Sequence, residues 1–186
     1  MKILLALGFL ILASGAIAAP QTYDLKVDES RIDFTYDLQG TEMAGNIPTN
    51  SAKVIIDFEQ LSRSDVSVSF AMSGVTAGFG PLTEAVKSDR VLASRQFPTA
   101  TFQSRSVRRN GAGAVIEGEL TLKGVTRPVV LDAQIFRERG SEAGDLSNLI
   151  LLITGTLDRR EFGADGYAGL VGPAIDLRVL VAIERR

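Results

Sequence analysis

The stretch that decides the fold runs from Phe97 to Leu131 and reads FPTATFQSRSVRRNGAGAVIEGELTLKGVTRPVVL. It contains three segments in which apolar and polar residues alternate, and glycine-containing turns at 111–113 and 123–124 separate them. Alternation with a period of two places successive side chains on opposite faces of a strand. Glycine turns between such segments are typical of hairpins. The stretch therefore predicts an antiparallel meander with one dry and one wet face.

The same alternation recurs on both sides of this meander. It is clearest at 31–38, where Ile32, Phe34, Tyr36 and Leu38 share one face. Further alternating segments lie at 23–27, 52–58, 66–72, 127–135 and 175–183. Eight or nine strands with one continuous apolar face tend to close on themselves, because closure removes the sheet edges. The sequence therefore predicts an all-β protein that forms an antiparallel β-barrel.

One segment departs from this pattern and predicts a short helical insertion. Pro81 stands where a first-turn proline would, and Leu82, Ala85 and Val86 recur at roughly helical spacing. Residues 87–89 interrupt this apolar stripe, so one short helix and two separate helical turns both fit the pattern.

Two other segments have less regular patterns. Residues 39–51 contain two glycines and a proline and predict a loop or a weak strand. Residues 149–153 are apolar on both faces, which predicts a strand that is covered on its outer side or lies between two layers.

The N-terminus has the three parts of a secretory signal peptide. Lys2 supplies a positive end, residues 3–12 are almost continuously apolar, and Ala16-Ile17-Ala18 provides the small residues of a cleavage site. The apolar run is shorter than the roughly 20 residues that a membrane-spanning helix needs. We therefore expect residues 1–18 to be removed after Ala18, which leaves a single domain over 19–186 in a periplasmic or otherwise exported protein.

Composition restricts the chemistry that the protein can perform. The chain of 186 residues contains no histidine and no cysteine, so nucleophilic sites that depend on either residue are excluded, as are most zinc, copper and haem sites. Acidic residues are plentiful, but the strand alternation places them on the wet face. A formal charge of −2 argues against nucleic-acid binding, which needs a basic face. We expect a protein that is not an enzyme and needs no cofactor.

Three motifs resemble those of a known family. FPTATFQS at 97–104, GELTLKGVTRPVVL at 118–131 and DRREFG at 158–163 are similar to the shared patterns of the YceI-like proteins, which are secreted and lipocalin-like. The resemblance implies an eight-stranded antiparallel lipocalin-like β-barrel with a short helical insertion near 81–95 that covers part of the opening. It also implies that the barrel binds a long polyisoprenoid or quinone-like lipid.

The alternation predicts which side chains meet inside the barrel. They are Phe34, Tyr36, Phe70, Phe102, Leu120, Leu131, Ile153 and Val179. On the residues alone, a filled core is the more common outcome. Small residues on the same faces reduce the side-chain volume, so a tunnel stays open as the alternative; they are Ser104, Gly118, Ala133 and Gly155. With the resemblance, we expect the eight larger side chains to bind the isoprenoid.

Polar groups near the barrel have two interpretations each. The Tyr36 hydroxyl would meet either a ligand head group or a neighbouring backbone carbonyl. Arg159 and Arg160 are candidates for contact with an anionic head group at the rim. For Arg159 and Phe162 we favour a structural role in holding the turn, because the motif that contains them is a fold signature of the family that the sequence resembles.

An alternative function stays open at this point. A barrel with a filled core would be a structural or stress-linked protein that associates with a membrane b-type cytochrome, a partner that only the resemblance suggests. The sequence does not establish whether two barrels associate as a homodimer.

Overall fold

The computed structural model describes residues 19–138 and 140–186. Within these ranges the chain forms eleven strand segments, one α-helix and four short 3-10 turns. The strands are β1 (Gln21–Leu25), β2 (Arg31–Leu38), β3 (Thr41–Asn46), β4 (Thr49–Ile56), β5 (Asp65–Ala71), β6 (Thr76–Ala77), β7 (Thr99–Asn110), β8 (Gly113–Leu122), β9 (Val125–Arg137), β10 (Asn148–Asp158) and β11 (Val171–Arg185). The helix α1 spans Gly80–Lys87, and the 3-10 turns are Val27–Glu29, Leu61–Arg63, Met72–Gly74 and Arg159–Phe162.

Eight of these strands form a closed antiparallel ring. Their order is β1-β4-β5-β7-β8-β9-β10-β11, and β11 pairs with β1 to close it. The other three strands lengthen the ring at one end, since β2 pairs with β11, β3 with β2 and β6 with β3. The protein is therefore an eight-stranded antiparallel β-barrel with a short helical insertion, as predicted.

The extra segments arise because three long strands are broken. A 3-10 turn at Val27–Glu29 separates β1 from β2, and another at Met72–Gly74 separates β5 from β6. Between β3 and β4 stands Pro48, which has no N–H to donate to a neighbouring strand. Its carbonyl accepts a hydrogen bond from the backbone N–H of Ala71 at 2.8 Å, so the broken strand remains attached to β5.

Residues 39–51, predicted as a loop or a weak strand, contain all of β3 and the start of β4. The alternation is hidden in β3 because Gly45 pairs with Phe34 and leaves its own space to the Phe34 ring. A strand that receives a neighbour's side chain needs no large apolar residue of its own at that position.

The two ends of the barrel differ. We call the end with α1, the Lys123-Gly124 turn and the segment after β10 the helical end. At the opposite end, a cluster of buried apolar side chains packs together near both ends of the described part of the chain. It consists of Tyr23, Val54, Ile56, Leu149, Leu151 and Ile183.

The helical insertion fills a break in the wall at the helical end. Among the described strands no pairing joins β6 to β7, and α1 lies in the connection between them. Pro81 lies in the first turn of α1. On the same helix, Val86 packs against a buried cluster that consists of Phe34, Tyr36 and Ala77. Ser88 caps the C-terminus of the helix, and its hydroxyl donates to the carbonyl of Ala85 at 2.6 Å. No helix in the described ranges has both the length and the apolar character that a membrane crossing requires.

The outer face of β10 differs from the prediction that a second layer would cover it. Ile150 and Leu152 point outward and are half-buried by their neighbours on the sheet. Across the sheet, Phe136 is 47% exposed and Leu180 is 40% exposed. Within the described ranges this apolar outer strip faces solvent, because the long flanking strands β9 and β11 bury β10 only from the sides.

Candidate functional site

A cavity of about 450 Å³ runs through the interior of the barrel. Its volume lies within the range of about 300 to 1,000 Å³ that is typical of sites for small organic ligands. The structure brings all eight predicted inner side chains onto its wall: Phe34, Tyr36, Phe70, Phe102, Leu120, Leu131, Ile153 and Val179. The interior is therefore hollow and not a filled core, while lipid contact by these residues stays a prediction.

The cavity is long in the direction of the strands. On β11 its wall includes alternate residues from Ile175 to Val181, which span about 20 Å at the usual rise per residue. It reaches Tyr167 and Leu170 at the helical end, where both side chains are exposed. A slender, extended molecule fits this shape better than a compact one.

The wall is apolar apart from a few side chains. The polar residues on it are Ser30, Tyr36, Thr49, Ser64, Arg159 and Tyr167. The hydroxyl of Ser30 donates to the carbonyl of Lys26 at 2.7 Å, and that of Ser64 accepts from the N–H of Asp57 at 3.1 Å. Carboxylates do not line the cavity in the described ranges, and those ranges contain no cluster of acidic residues suited to a metal ion.

Tyr36 is the polar side chain that stands apart. It is 6% exposed, and its hydroxyl has no hydrogen-bond partner among the described residues. Its ring stacks near that of Phe34, with 6.0 Å between the ring centroids. Burial raises the pKa of the Tyr36 hydroxyl, so it keeps its proton as a potential donor. Of its two predicted fates, contact with a neighbouring backbone carbonyl is not found.

The small residues do not produce the cavity in the way that the sequence suggested. A Cβ at Gly118 would lie 2.5 Å from the Phe102 ring, and one at Gly155 would lie 2.6 Å from the Leu131 side chain. Ser104 uses its hydroxyl to accept from the N–H of Val66 at 2.8 Å. Of the four small residues, Ala133 alone lies on the cavity wall. The glycines make room for neighbouring side chains and leave no tunnel of their own.

Arg159 is buried at the helical end, where it lines the cavity. Its guanidinium donates to four backbone carbonyls, and burial is the main cause of its lowered pKa. The acceptors are Ala164 at 2.5 Å, Gly166 at 2.8 Å, Gly172 at 2.9 Å and Val171 at 3.0 Å. These bonds hold the segment after β10 against the start of β11, which is the structural role that we favoured from the sequence.

Arg160 lies elsewhere. It is exposed, it is not part of the cavity wall, and its guanidinium pairs with the carboxylate of Asp158, with a shortest distance of 2.5 Å. The structure therefore does not bring Arg160 together with the eight inner side chains. Its contact with a ligand head group stays a prediction without geometric support.

Comparison with known proteins places this barrel in a family. The sequence model of the family described as YceI-like domain matches residues 23–183. The chain belongs to the YceI-like family. A UPF0312 protein of Serratia proteamaculans is 27% identical over 188 residues, with 97% of this chain and 93% of that protein covered. The resemblance inferred from the three sequence motifs is thus confirmed.

Two solved structures share the YceI-like fold of this chain. BcnA of Burkholderia cenocepacia superposes with a TM-score of 0.77 at 15% identity and covers 86% of this chain and 99% of its own. A polyisoprenoid binding domain from Saccharophagus degradans gives a TM-score of 0.60 at 11% identity, with 89% and 99% covered. At these identities the comparison shows the fold.

Sequence reasoning missed the residues of this YceI-like barrel that line the cavity outside the regular strands. They are Ser30, Ile47, Leu61, Ser64, Val75, Leu82, Ala85, Val86, Val91, Leu92, Phe162, Ala164, Gly166, Tyr167 and Leu170. Those of α1 carried a helical signal that could have placed Leu82, Ala85 and Val86 at the opening. The residues around Tyr167 lie in an irregular segment that is folded back by Arg159, and no periodic pattern marks them.

Proposed function

We propose that the protein is an exported, non-enzymatic carrier that holds a long isoprenoid or quinone-like lipid in its barrel. The observation that carries the proposal is the elongated apolar cavity lined by all eight predicted side chains. An apolar chain gains about 0.8 kcal/mol for each methylene that it transfers from water to such a lining. Carriage, storage and protection of the lipid are all consistent with this arrangement.

The comparison with known proteins supports the choice of ligand class. The domain from Saccharophagus degradans that has this fold is a polyisoprenoid binding domain. Branched isoprenoid chains are slender and apolar, so they match an interior built from aliphatic and aromatic side chains. The hollow interior also makes the filled-core alternative less attractive, while a membrane b-type cytochrome partner and a homodimer stay predictions.

Export and gating complete the proposal. The signal-peptide features of residues 1–18 lie outside the described residues, and we infer a periplasmic location from them. At the helical end, α1 contributes Leu82, Ala85 and Val86 to the cavity wall. Because no strand pairing joins β6 to β7 in the described ranges, we propose that this helix moves to admit the lipid.

The proposal is tested by the lipid content of the natural protein. The mature protein is purified from its exporting host, and native mass spectrometry is followed by solvent extraction and lipid identification. We expect one prenyl lipid per barrel. A protein that carries no lipid, and takes up none after incubation with prenyl quinones and prenyl phosphates, would exclude the carrier function.

A further inference from the structure

Tyr36 is the candidate for recognition of a ligand inside the cavity. Its hydroxyl is buried and has no hydrogen-bond partner in the described ranges, although its side chain lines the cavity. A buried tyrosine normally finds a partner, because an unpaired hydroxyl loses its bonds with water without replacement. An unpaired donor at the tip of a side chain that lines a ligand-sized cavity therefore indicates that the ligand supplies the acceptor.

Three other polar side chains on the wall are already engaged, while Thr49 is half-buried and Tyr167 is exposed. The hydroxyls of Ser30 and Ser64 bond to the backbone, and Arg159 directs four of its five N–H groups to carbonyls. Asp57 also has an unpaired buried oxygen, but Asp57 is not on the cavity wall. Within the described part of the wall, Tyr36 is thus the buried residue whose side chain has a hydrogen-bond donor without a partner.

The surroundings of Tyr36 favour an uncharged acceptor. A phosphate needs several donors or cations to replace its water. Arg159 is the sole basic residue on the described wall, and nearby at the helical end the ammonium of Lys123 donates to the carbonyl of Gly163 at 2.7 Å. One tyrosine hydroxyl satisfies a carbonyl or ether oxygen but leaves a phosphate largely unpaired.

The position of Tyr36 also sets the direction of the ligand. Tyr36 lies two residues before the end of β2 and pairs with Ile175 near the start of β11, so it is close to the helical end. From there the wall continues along β11 through Leu177, Val179 and Val181 without another unpaired buried side-chain polar atom among the described residues. This stretch suits the hydrocarbon tail.

We propose that the Tyr36 hydroxyl donates a hydrogen bond to a neutral oxygen of the bound isoprenoid, a carbonyl or ether oxygen of the quinone class, and that the chain runs from there away from the helical end. This inference rests on the proposed function and narrows its ligand. The barrel accordingly prefers a prenyl quinone to the hydrocarbon of the same chain and to the corresponding prenyl phosphate.

The test uses internal competition in native mass spectrometry. The mature protein is mixed with equimolar pairs of three probes that share one chain: a geranylgeranyl benzoquinone, the geranylgeranyl hydrocarbon and geranylgeranyl monophosphate. One neutral hydrogen bond predicts that the wild type prefers the quinone to the hydrocarbon by about three- to tenfold. In Tyr36→Phe this ratio falls to about one, because the ring is kept and the hydroxyl is lost.

Tyr23→Phe is the matched control. Tyr23 is equally buried but does not line the cavity, and its hydroxyl donates to the carbonyl of Leu146 at 2.9 Å. We expect Tyr23→Phe to lower the melting temperature of the lipid-free protein and to leave the lipid ratio unchanged. Tyr36→Phe should change the ratio and leave that melting temperature equal or higher, because it removes an unpaired group.

The outcomes separate the two proposals. A quinone preference that survives in Tyr36→Phe, or a wild type that prefers the phosphate, would overturn the role of Tyr36 while leaving the carrier function intact. A clear loss of stability in lipid-free Tyr36→Phe would also overturn it, because the hydroxyl would then have a partner within the protein. If the wild type bound none of the three probes, the carrier function itself would be overturned.

Discussion

The ring of Phe102 on β7 occupies the space beside Gly118 on the neighbouring strand β8. A Cβ at position 118 would lie 2.5 Å from the ring carbon Cζ and 2.6 Å from the carbonyl oxygen of Gln103. Both distances are far below van der Waals contact, and the carbonyl belongs to backbone that β7 holds in the sheet. Glycine at 118 is therefore required for Phe102 to pack into the inner face while β7 and β8 stay paired.

Replacing this glycine should destabilise the barrel. We expect Gly118→Ala to lower the free energy of unfolding by about 1 to 3 kcal/mol, the usual cost of forcing an extra carbon into a packed interior. The measurement is the urea midpoint followed by circular dichroism. Gly169→Ala is the control, because a Cβ there meets no atom within 4 Å and its φ is not in the left-handed region. Equal midpoints for the two variants would contradict the packing of Phe102.

Arg159 should contribute to stability through the segment that it holds. In Arg159→Gln, the carbonyls of Ala164, Gly166, Val171 and Gly172 lose a charged donor, and we expect a loss of about 3 kcal/mol in the free energy of unfolding. Arg159→Lys should not restore it, because one ammonium cannot reproduce the planar guanidinium fork. Urea denaturation checks both variants.

The neighbouring arginine provides the control for that measurement. Arg160 is exposed and makes a surface ion pair with Asp158, an interaction that usually contributes little to stability. Arg160→Gln should therefore lower the urea midpoint far less than Arg159→Gln does. If Arg160→Gln were as harmful as Arg159→Gln, the distinction between a buried clamp and a surface pair would be wrong.

Protonation of Asp158 should lower the stability of the barrel in acid. Hydrogen bonds from the Arg160 side chain and backbone N–H lower the Asp158 pKa from 3.8 to about 2. Because the folded state favours the ionised carboxylate, its contribution is complete above the unfolded value of 3.8 and is lost as the pH falls through about 2. The melting temperatures of the wild type and Asp158→Asn should differ at neutral pH and converge near pH 2. A difference that is constant with pH would contradict this ionisation.

The inner faces of the strands could be predicted from sequence because strand alternation is local. Phe34, Tyr36 and Val179 were assigned to one interior by their period alone, and the structure places all three on the cavity wall. The position of β3 was not recoverable, since Gly45 yields its space to Phe34 and the strand shows no alternation. Which side chain occupies the space beside a glycine depends on contacts between strands, and the local sequence pattern does not show these contacts.

In the candidate site, too, the local pattern could be predicted from sequence and the contacts between strands could not. Sequence reasoning identified Tyr36 as the polar exception among the inner residues, but whether its hydroxyl meets a carbonyl is a property of the assembled barrel. The origin of the cavity was predicted wrongly for the same reason. The ring of Phe102 occupies the space beside Gly118. The alternation placed both residues on the inner face but did not indicate that the ring would pack against the glycine.

Export predicts a defined N-terminus for the mature protein. The signal-peptide pattern of residues 1–18 predicts cleavage after Ala18 and a mature chain that begins at Ala19. Intact-mass measurement of protein from a periplasmic extract checks this. Replacing Ala16 and Ala18 by bulky residues should retain the precursor. Recovery of the full-length chain from the cytoplasm of the natural host would contradict export.

Filling part of the cavity should weaken lipid binding without unfolding the barrel. Val179 lies on the cavity wall, whereas its neighbour Leu180 points outward and is exposed. Val179→Phe takes up space for about two methylenes of a ligand chain, so we expect prenyl quinone affinity to fall about tenfold or more. Leu180→Phe, on the outer face of the same strand, should bind as the wild type does. Equal affinities would show that the lipid does not occupy this part of the barrel.

The most direct test of the central claim is the crystal structure of the protein loaded with a prenyl quinone. The carrier function predicts a continuous chain of electron density within the barrel, in contact with Phe34, Ile153 and Val179, with an oxygen within hydrogen-bond distance of the Tyr36 hydroxyl. Density for the lipid on the outer strip of Phe136 and Leu180, with an interior that holds no chain, would contradict the account.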